Sequence, residues 1–122
     1  MQEFGREERV GAEIRRELAA LIRDDIKDPR LGMVTIQEVR VSRDLAHAKV
    51  YYTVLDEERR KQTAAVLERA AGYLRHRLGE LMTLRNVPQL HFTYDTSVAE
   101  GMRLSSLIDQ AVARDRDRHQ ED

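Results

Sequence analysis

The chain contains no cysteine, which excludes a disulfide framework, thiolate catalysis and cysteine-based zinc sites. It has no apolar run approaching the roughly 20 residues of a membrane helix. Met1–Val10 is charged where a signal peptide would carry an apolar centre, so a cytoplasmic protein is expected. Sequence motifs for common chemistry are missing too: no Walker-type glycine loop, no Gly-x-Ser-x-Gly elbow and no His-Glu-x-x-His pair occurs. An excess of positive charge is also absent. The formal net charge of −1 argues against a polycation that coats nucleic acid indiscriminately.

At 122 residues the chain can bury one core but not two. With 35% charged residues, a globular body with polar ends is expected. Residues 1–113 are read as one domain. Residues 114–122, charged and without a large apolar side chain, are read as a disordered tail.

From Val10, the spacing Val10, Ile14, Leu18, Leu21, Ile22 forms one stripe on a helix ending near Ile26, after a frayed Met1–Arg9. Asp28-Pro29-Arg30-Leu31-Gly32 stops it, because proline cannot continue a helix and glycine allows the turn. Met33–Val41 reads as a strand whose alternation changes phase between Val34/Ile36 and Val39/Val41. A bulge near Gln37-Glu38 restores a single buried face. The short link Ser42-Arg43-Asp44 makes Ala46–Val54 an antiparallel partner. Ala46, Ala48, Val50, Tyr52 and Val54 should face inward.

Asp56 is placed as N-cap of a long helix whose stripe is Leu67, Ala70, Ala71, Leu74, Leu78, Leu81 and Met82. Gly72 lies in its middle, where it costs about 1 kcal/mol relative to alanine. Two helical halves meeting at a bend are therefore expected, ending near Leu84. Leu90, Phe92 and Tyr94 alternate in a third strand. Asp95–Ser97 would cap a last helix with Val98, Met102, Ile108 and Leu104 or Leu107 on its apolar side. The result is an α+β two-layer domain, a three-stranded sheet with helices on one face, in the order α-β-β-α(kinked)-β-α. The outer sheet face would carry His47, Lys49, Tyr51, His91 and Thr93, a solvated surface or part of a docking surface.

Two helical segments meeting at a glycine between the second and third strands resemble a KH (type II) domain, whose Gly-x-x-Gly junction lets an RNA backbone approach. Here Ala70-Ala71-Gly72 stands at that place with one glycine, so a clamp around single-stranded RNA is not expected. Beyond the fold, several stretches, the Ala70-x-Gly72 junction included, resemble the bacterial ribosome-binding factor A family over roughly Arg6 to Leu107. The others are Arg9-Val10, Asp28-Pro29-Arg30, Val34-Thr35-Ile36 with Val39, Ser42, Asp44-Leu45, Ala48-Lys49-Val50, and Leu84-Arg85-x-x-Pro88-x-Leu90-x-Phe92-x-x-Asp95-x-Ser97-x-x-x-Gly101. Leu104 stands where isoleucine is expected.

That resemblance implies a non-catalytic assembly factor without cofactor or metal, acting as a monomer. It would bind the small ribosomal subunit near the 5′ end of its RNA and the decoding region. It would promote late processing of that RNA and leave before translation, mattering most in the cold. Arg69–Arg85 carries four arginines against one glutamate, a locally basic element that suits a specific RNA site. The expected RNA-binding residues are Arg43, Lys49, Arg69, Ala70, Gly72, Arg75, His76, Arg77 and Arg85, with Arg77 and Arg85 foremost. Three competing readings are a KH-like RNA-binding module unconnected with ribosome assembly, a protein-binding domain on the same fold, and an enzyme or metal protein built on His47, His91 and Asp95.

Overall fold

In a computed structural model, residues 5–97 and 107–112 are described. The expected helix following Ser97, through Val98, Met102 and Leu104, and the 114–122 tail lie outside them. Leu107–Val112 is helical with its side chains exposed.

The stripe Val10, Ile14, Leu18, Leu21 and Ile22 is buried along α1 (Arg6–Asp25). The helix begins earlier than the Val10 onset expected: Gly5 is its N-cap and Glu7 and Glu8 occupy the first turn, where carboxylates complement the helix dipole. β1 (Val34–Val41) pairs antiparallel with β2 (His47–Val54), and their register shifts between Ile36 and Glu38. This is the bulge that the phase change calls for. Gln37 Nε2 donates to Thr53 Oγ1 (3.1 Å) there, and Arg15 Nε reaches from α1 to Ile36 O (3.3 Å). Ala48, Val50, Tyr52 and Val54 are buried. Ala46, expected inside, is exposed because the strand starts one residue later.

Asp56 does cap a helix start, its carboxylate accepting from Glu58 N. It opens a 3-10 turn at Glu57–Arg59 that leads into α2 (Arg60–Leu81). α2 passes through Gly72 as one uninterrupted helical element, and its C-cap is Met82, short of Leu84. Thr63, Val66, Leu67, Leu74 and Leu78 are buried, whereas Leu81 is exposed. β3 (Gln89–Tyr94) lies parallel to β2, so the sheet order is β1-β2-β3. α1 lies over β1 and α2 over β3, sharing one core around Ile14, Leu18, Val50, Leu67, Leu74 and Leu78. The layers match the α+β expectation.

Between the layers, α1 approaches β1 at Gly11, where an added Cβ would sit 2.6 Å from the Val39 carbonyl oxygen. Gly11→Ala should therefore destabilise by about 1–3 kcal/mol through overpacking, outweighing the roughly 1 kcal/mol that alanine contributes as a better helix former. A urea titration that showed equal or greater stability would contradict this close approach.

At the end of α1, Asp28 clasps Arg30. Its Oδ1 accepts from Arg30 N (2.9 Å) and Nε (3.1 Å), and its Oδ2 accepts from Nη2 (2.8 Å). The guanidinium hydrogen bonds, followed by the backbone one, hold the Asp28 carboxyl down at about 2. A depressed carboxylate stabilises the fold above its unfolded-state value, and the contribution fades as pH falls towards the folded one. In an NMR titration, Arg30→Gln should move the Asp28 midpoint up towards the ordinary carboxylate range. An unmoved midpoint would exclude the clasp as its cause.

Candidate nucleic-acid interface

Parallel pairing brings the start of β3 beside the start of β2: His47 is in register with Gln89, and Gln89 N donates to Ala46 O (2.9 Å). The segment between α2 and β3 is thereby set against the β1–β2 turn. That turn is closely organised. Leu45 N donates to Ser42 O and Ser42 N to His47 O, each at 2.8 Å. Asp44 Oδ1 accepts from Ser42 Oγ (2.6 Å) and Ala46 N (3.0 Å), which holds its carboxyl below the usual range. Leu45 takes φ 60°, a left-handed conformation uncommon for a bulky residue, and its side chain packs against the core.

A cleft of about 460 Å³ opens between these segments, lined among others by Arg6, Asp44, His47, Arg75 and Arg85. A second, of about 580 Å³, runs along α2 past Gly72, His76 and Glu80 and shares Arg75, Arg85 and Asn86 with the first. Arg75 anchors the wall between them: its Nε and Nη2 donate to Val87 O at 3.1 and 2.9 Å. The side chains of Arg6 and Arg85 make no hydrogen bond or ion pair among the described residues, and both residues are exposed. Asp44, the one acid lining the first cleft, already accepts those two bonds within its own turn. The concavity thus presents guanidinium groups to a ligand, an arrangement that suits phosphate oxygens.

The other expected contacts divide. Gly72 is exposed, and a Cβ built on it meets nothing within 4 Å, so the protein's own packing does not require a glycine. Ala70 is half-buried against the core, and Arg69 lies exposed one residue before it. His76 is exposed, its Nε2 3.5 Å from Glu80. Arg77 is engaged within the fold: its Nε reaches Asp25 Oδ2 and its Nη1 reaches Glu80 Oε1, both at 3.3 Å. These acids raise its pKa, Glu80 foremost. Asp25 Oδ2 also accepts from Tyr73 OH (2.8 Å), so the end of α1 is tied to the middle of α2. Arg43 is exposed in the β1–β2 turn. Lys49 is on the open side of the sheet, its Nζ 5.7 Å from the Tyr51 ring. The expected set therefore occupies two surfaces instead of one.

His47 and His91 do meet, with Nδ1 and Nε2 3.0 Å apart. Asp95 instead accepts from Ser97 N. No group of three metal-ligating side chains occurs among the described residues, and the hydrolytic reading gains no constellation.

The model of the family described as Ribosome-binding factor A matches residues 6–108. The chain belongs to that family. Ribosome-binding factor A of Thioalkalivibrio sulfidiphilus is 58% identical over 122 residues, covering 99% of this chain and 95% of the relative. That of Alkalilimnicola ehrlichii is 57% identical with the same coverage. Among solved structures, the crystal structure of the Thermus thermophilus factor is similar with a TM-score of 0.66 and 31% identity, over 72% of this chain and 93% of that one. A Thermus thermophilus homology model fitted into the cryo-electron-microscopy map of a 30S complex of the factor has a TM-score of 0.62 and 31% identity, over 70% of this chain and 91% of that one.

Arg6 and Asn86 were not among the residues singled out from sequence. The signal for Arg6 was its place in a first turn opened by Glu7 and Glu8, which was read as frayed. For Asn86 no local signal exists, since the turn it faces is distant in sequence. Arg77→Glu places a third carboxylate beside Asp25 and Glu80 and should lower the melting temperature. Arg85→Glu, which breaks no contact among the described residues, should leave it within error. Equal melts for the two variants would mean that the Arg77 pairs contribute nothing.

Proposed function

We propose that this chain is a non-catalytic factor that binds the immature small ribosomal subunit as a monomer. In this reading it promotes late processing of the subunit RNA and leaves before translation. The observation that carries it is the double cleft: Arg6 and Arg85, without partners among the described residues, flank an anchored Arg75 beside the open backbone of Gly72. The name shared by the relatives, and the 30S complex of the Thermus factor, supply the kind of RNA. Arginines in a concavity whose described carboxylates, Asp44 and Glu80, already have partners within the protein offer charge-assisted bonds to phosphates. Such contacts supply affinity and orientation more than base specificity. Gly72 lets a phosphate approach the helix backbone more closely than any side chain would allow.

In a sucrose gradient of cell extract, the chain should sediment with free small subunits and be absent from polysomes. Even distribution across polysomes would overturn the assembly role. Arg6→Glu with Arg85→Glu should reduce binding to purified small subunits about tenfold or more and flatten its dependence on salt, since fewer phosphates are neutralised. Gly72→Ala should stabilise the free protein by about 0.5–1 kcal/mol while weakening subunit binding. Unchanged binding in both variants would remove the cleft from the interface.

A further inference from the structure

The helices cover one face of the sheet. The other face carries a cavity of about 450 Å³ lined by Arg40, Val41, Ser42, His47, Lys49 and His91. Among the described residues no carboxylate lines it. Arg40 Cζ and Lys49 Nζ stand 5.3 and 5.7 Å from the centroid of the Tyr51 ring, so an aromatic surface is flanked by two cations. Across the cavity, His47 Nδ1 and His91 Nε2 are 3.0 Å apart, their ring centroids separated by 5.2 Å. Such a pair shares one proton, one ring donating and the other accepting.

We infer that this open face is a second RNA-contact surface, which holds a backbone phosphate between the His47–His91 pair and Lys49 and takes up a proton on binding. Charge complementarity argues for the occupant: the cavity repels cations and offers two fixed positive charges and two protonatable rings to an anion. Continuity argues for it as well. His47 borders both this cavity and the arginine cleft, so one strand can pass around the end of β2 from cleft to sheet. Tyr51 then offers a base a stacking surface. The choice of RNA over another polyanion rests on the function proposed above.

The linkage follows from the charges around the pair. On β1, Arg40 faces the cavity with its charge partly met by Glu38 at 3.0 Å. In the turn, Asp44 is near His47. On β2 stands the Lys49 cation, and on β3 His91 is flanked by the uncharged Gln89 and Thr93. From α2, Glu68 lines a pocket with His91. Arg6, Arg75 and Arg85 line the cleft that His47 borders. One proton added to the neutral pair makes one ring an imidazolium, which can keep the N–H···N bond to the other ring and stands as a further cation beside Lys49 and Arg40. A phosphate placed against them offsets the repulsion among these cations, so binding draws in the proton and tightens as pH falls.

The test uses the full chain, a fluorescently labelled single-stranded uridine oligoribonucleotide and, in parallel, purified small ribosomal subunits. Both are titrated at about pH 6 and about pH 8 at fixed ionic strength. The wild type should bind the oligonucleotide about three- to tenfold more tightly at the lower pH. His47→Gln with His91→Gln should bring that ratio to about one, and Lys49→Gln should weaken binding at both pH values. All of these side chains are exposed, and thermal melts check that the variants fold. A wild-type ratio near one, a ratio that survives in the double histidine variant, or a Lys49→Gln variant binding like wild type would each overturn the site. So would an oligonucleotide that does not bind. If the oligonucleotide behaves as expected but subunits do not bind, the ribosomal function falls and the RNA site stands. A pH effect confined to subunits would assign the face to a protein partner and overturn RNA as its occupant.

Discussion

β3 pairs with β2 in parallel, and the remaining layout depends on that pairing. A parallel neighbour can be reached only by a crossover that travels back along the sheet, and here α2 is the crossover. It must lie on a sheet face, and it shares that face with α1, so that Leu74 and Leu78 close one core with Ile14 and Leu18. The return also places the link from α2 to β3 at the end of the sheet where β2 begins. There it meets the β1–β2 turn, whose shape is held by Ser42, Asp44 and the left-handed Leu45. The arginine cleft is a by-product of topology: Arg75 and Arg85 are delivered to a turn distant from them in sequence. The same constraint leaves the opposite sheet face without a covering layer among the described residues.

Net charge says little about such a surface, whereas the partners of each cation say much. Arg15 bonds a β1 carbonyl, Arg30 clasps Asp28, Arg75 holds Val87 O, and Arg77 ties α2 to Asp25. These guanidinium groups stabilise the local structure and are less available to a ligand. Arg6, Arg43, Arg69 and Arg85 have no such bond among the described residues. A near-neutral chain can in this way expose unsatisfied positive charge in chosen places. Exposed ion pairs are individually weak, so Arg77 is not lost to RNA by thermodynamics. Its geometry is nonetheless set by two acids before any ligand arrives.

Much of this was legible in the sequence where the signal is local. The α1 stripe, the bulge at Gln37 and the alternation of β2 follow from side-chain period, because each reports a single buried face. Period reports neither which strand lies next to which nor in what direction. Nothing in Leu90-x-Phe92-x-Tyr94 says that its neighbour is β2, so the meeting of the 82–88 segment with the hairpin turn could not be read. Lys49, on the outer sheet face, and Arg43 in the hairpin turn are expected to extend the patch of helix arginines. Strand parity puts Lys49 on the far side of the sheet, and the two sets join only at His47. The reading that sets His47 near His91 and Asp95 in the sheet holds for the two histidines, which the parallel register brings together, while Asp95 accepts from Ser97 N.

Gly11 and Gly72 both sit within helices, and contrast of their surroundings separates packing from function. Gly11 is there because the Val39 carbonyl leaves no room for a Cβ, so the fold itself explains it. At Gly72 a Cβ would meet no described residue within 4 Å, φ is not in the left-handed region, and the helix continues unbroken. Within the free protein the residue only costs helix stability, about 1 kcal/mol relative to alanine. A glycine that neither a turn nor a neighbouring chain segment requires is accounted for when the missing neighbour is a ligand. In the function proposed above, its position on the rim of the arginine cleft would set a phosphodiester chain along α2, an arrangement distinct from a single strand threaded through a two-glycine clamp.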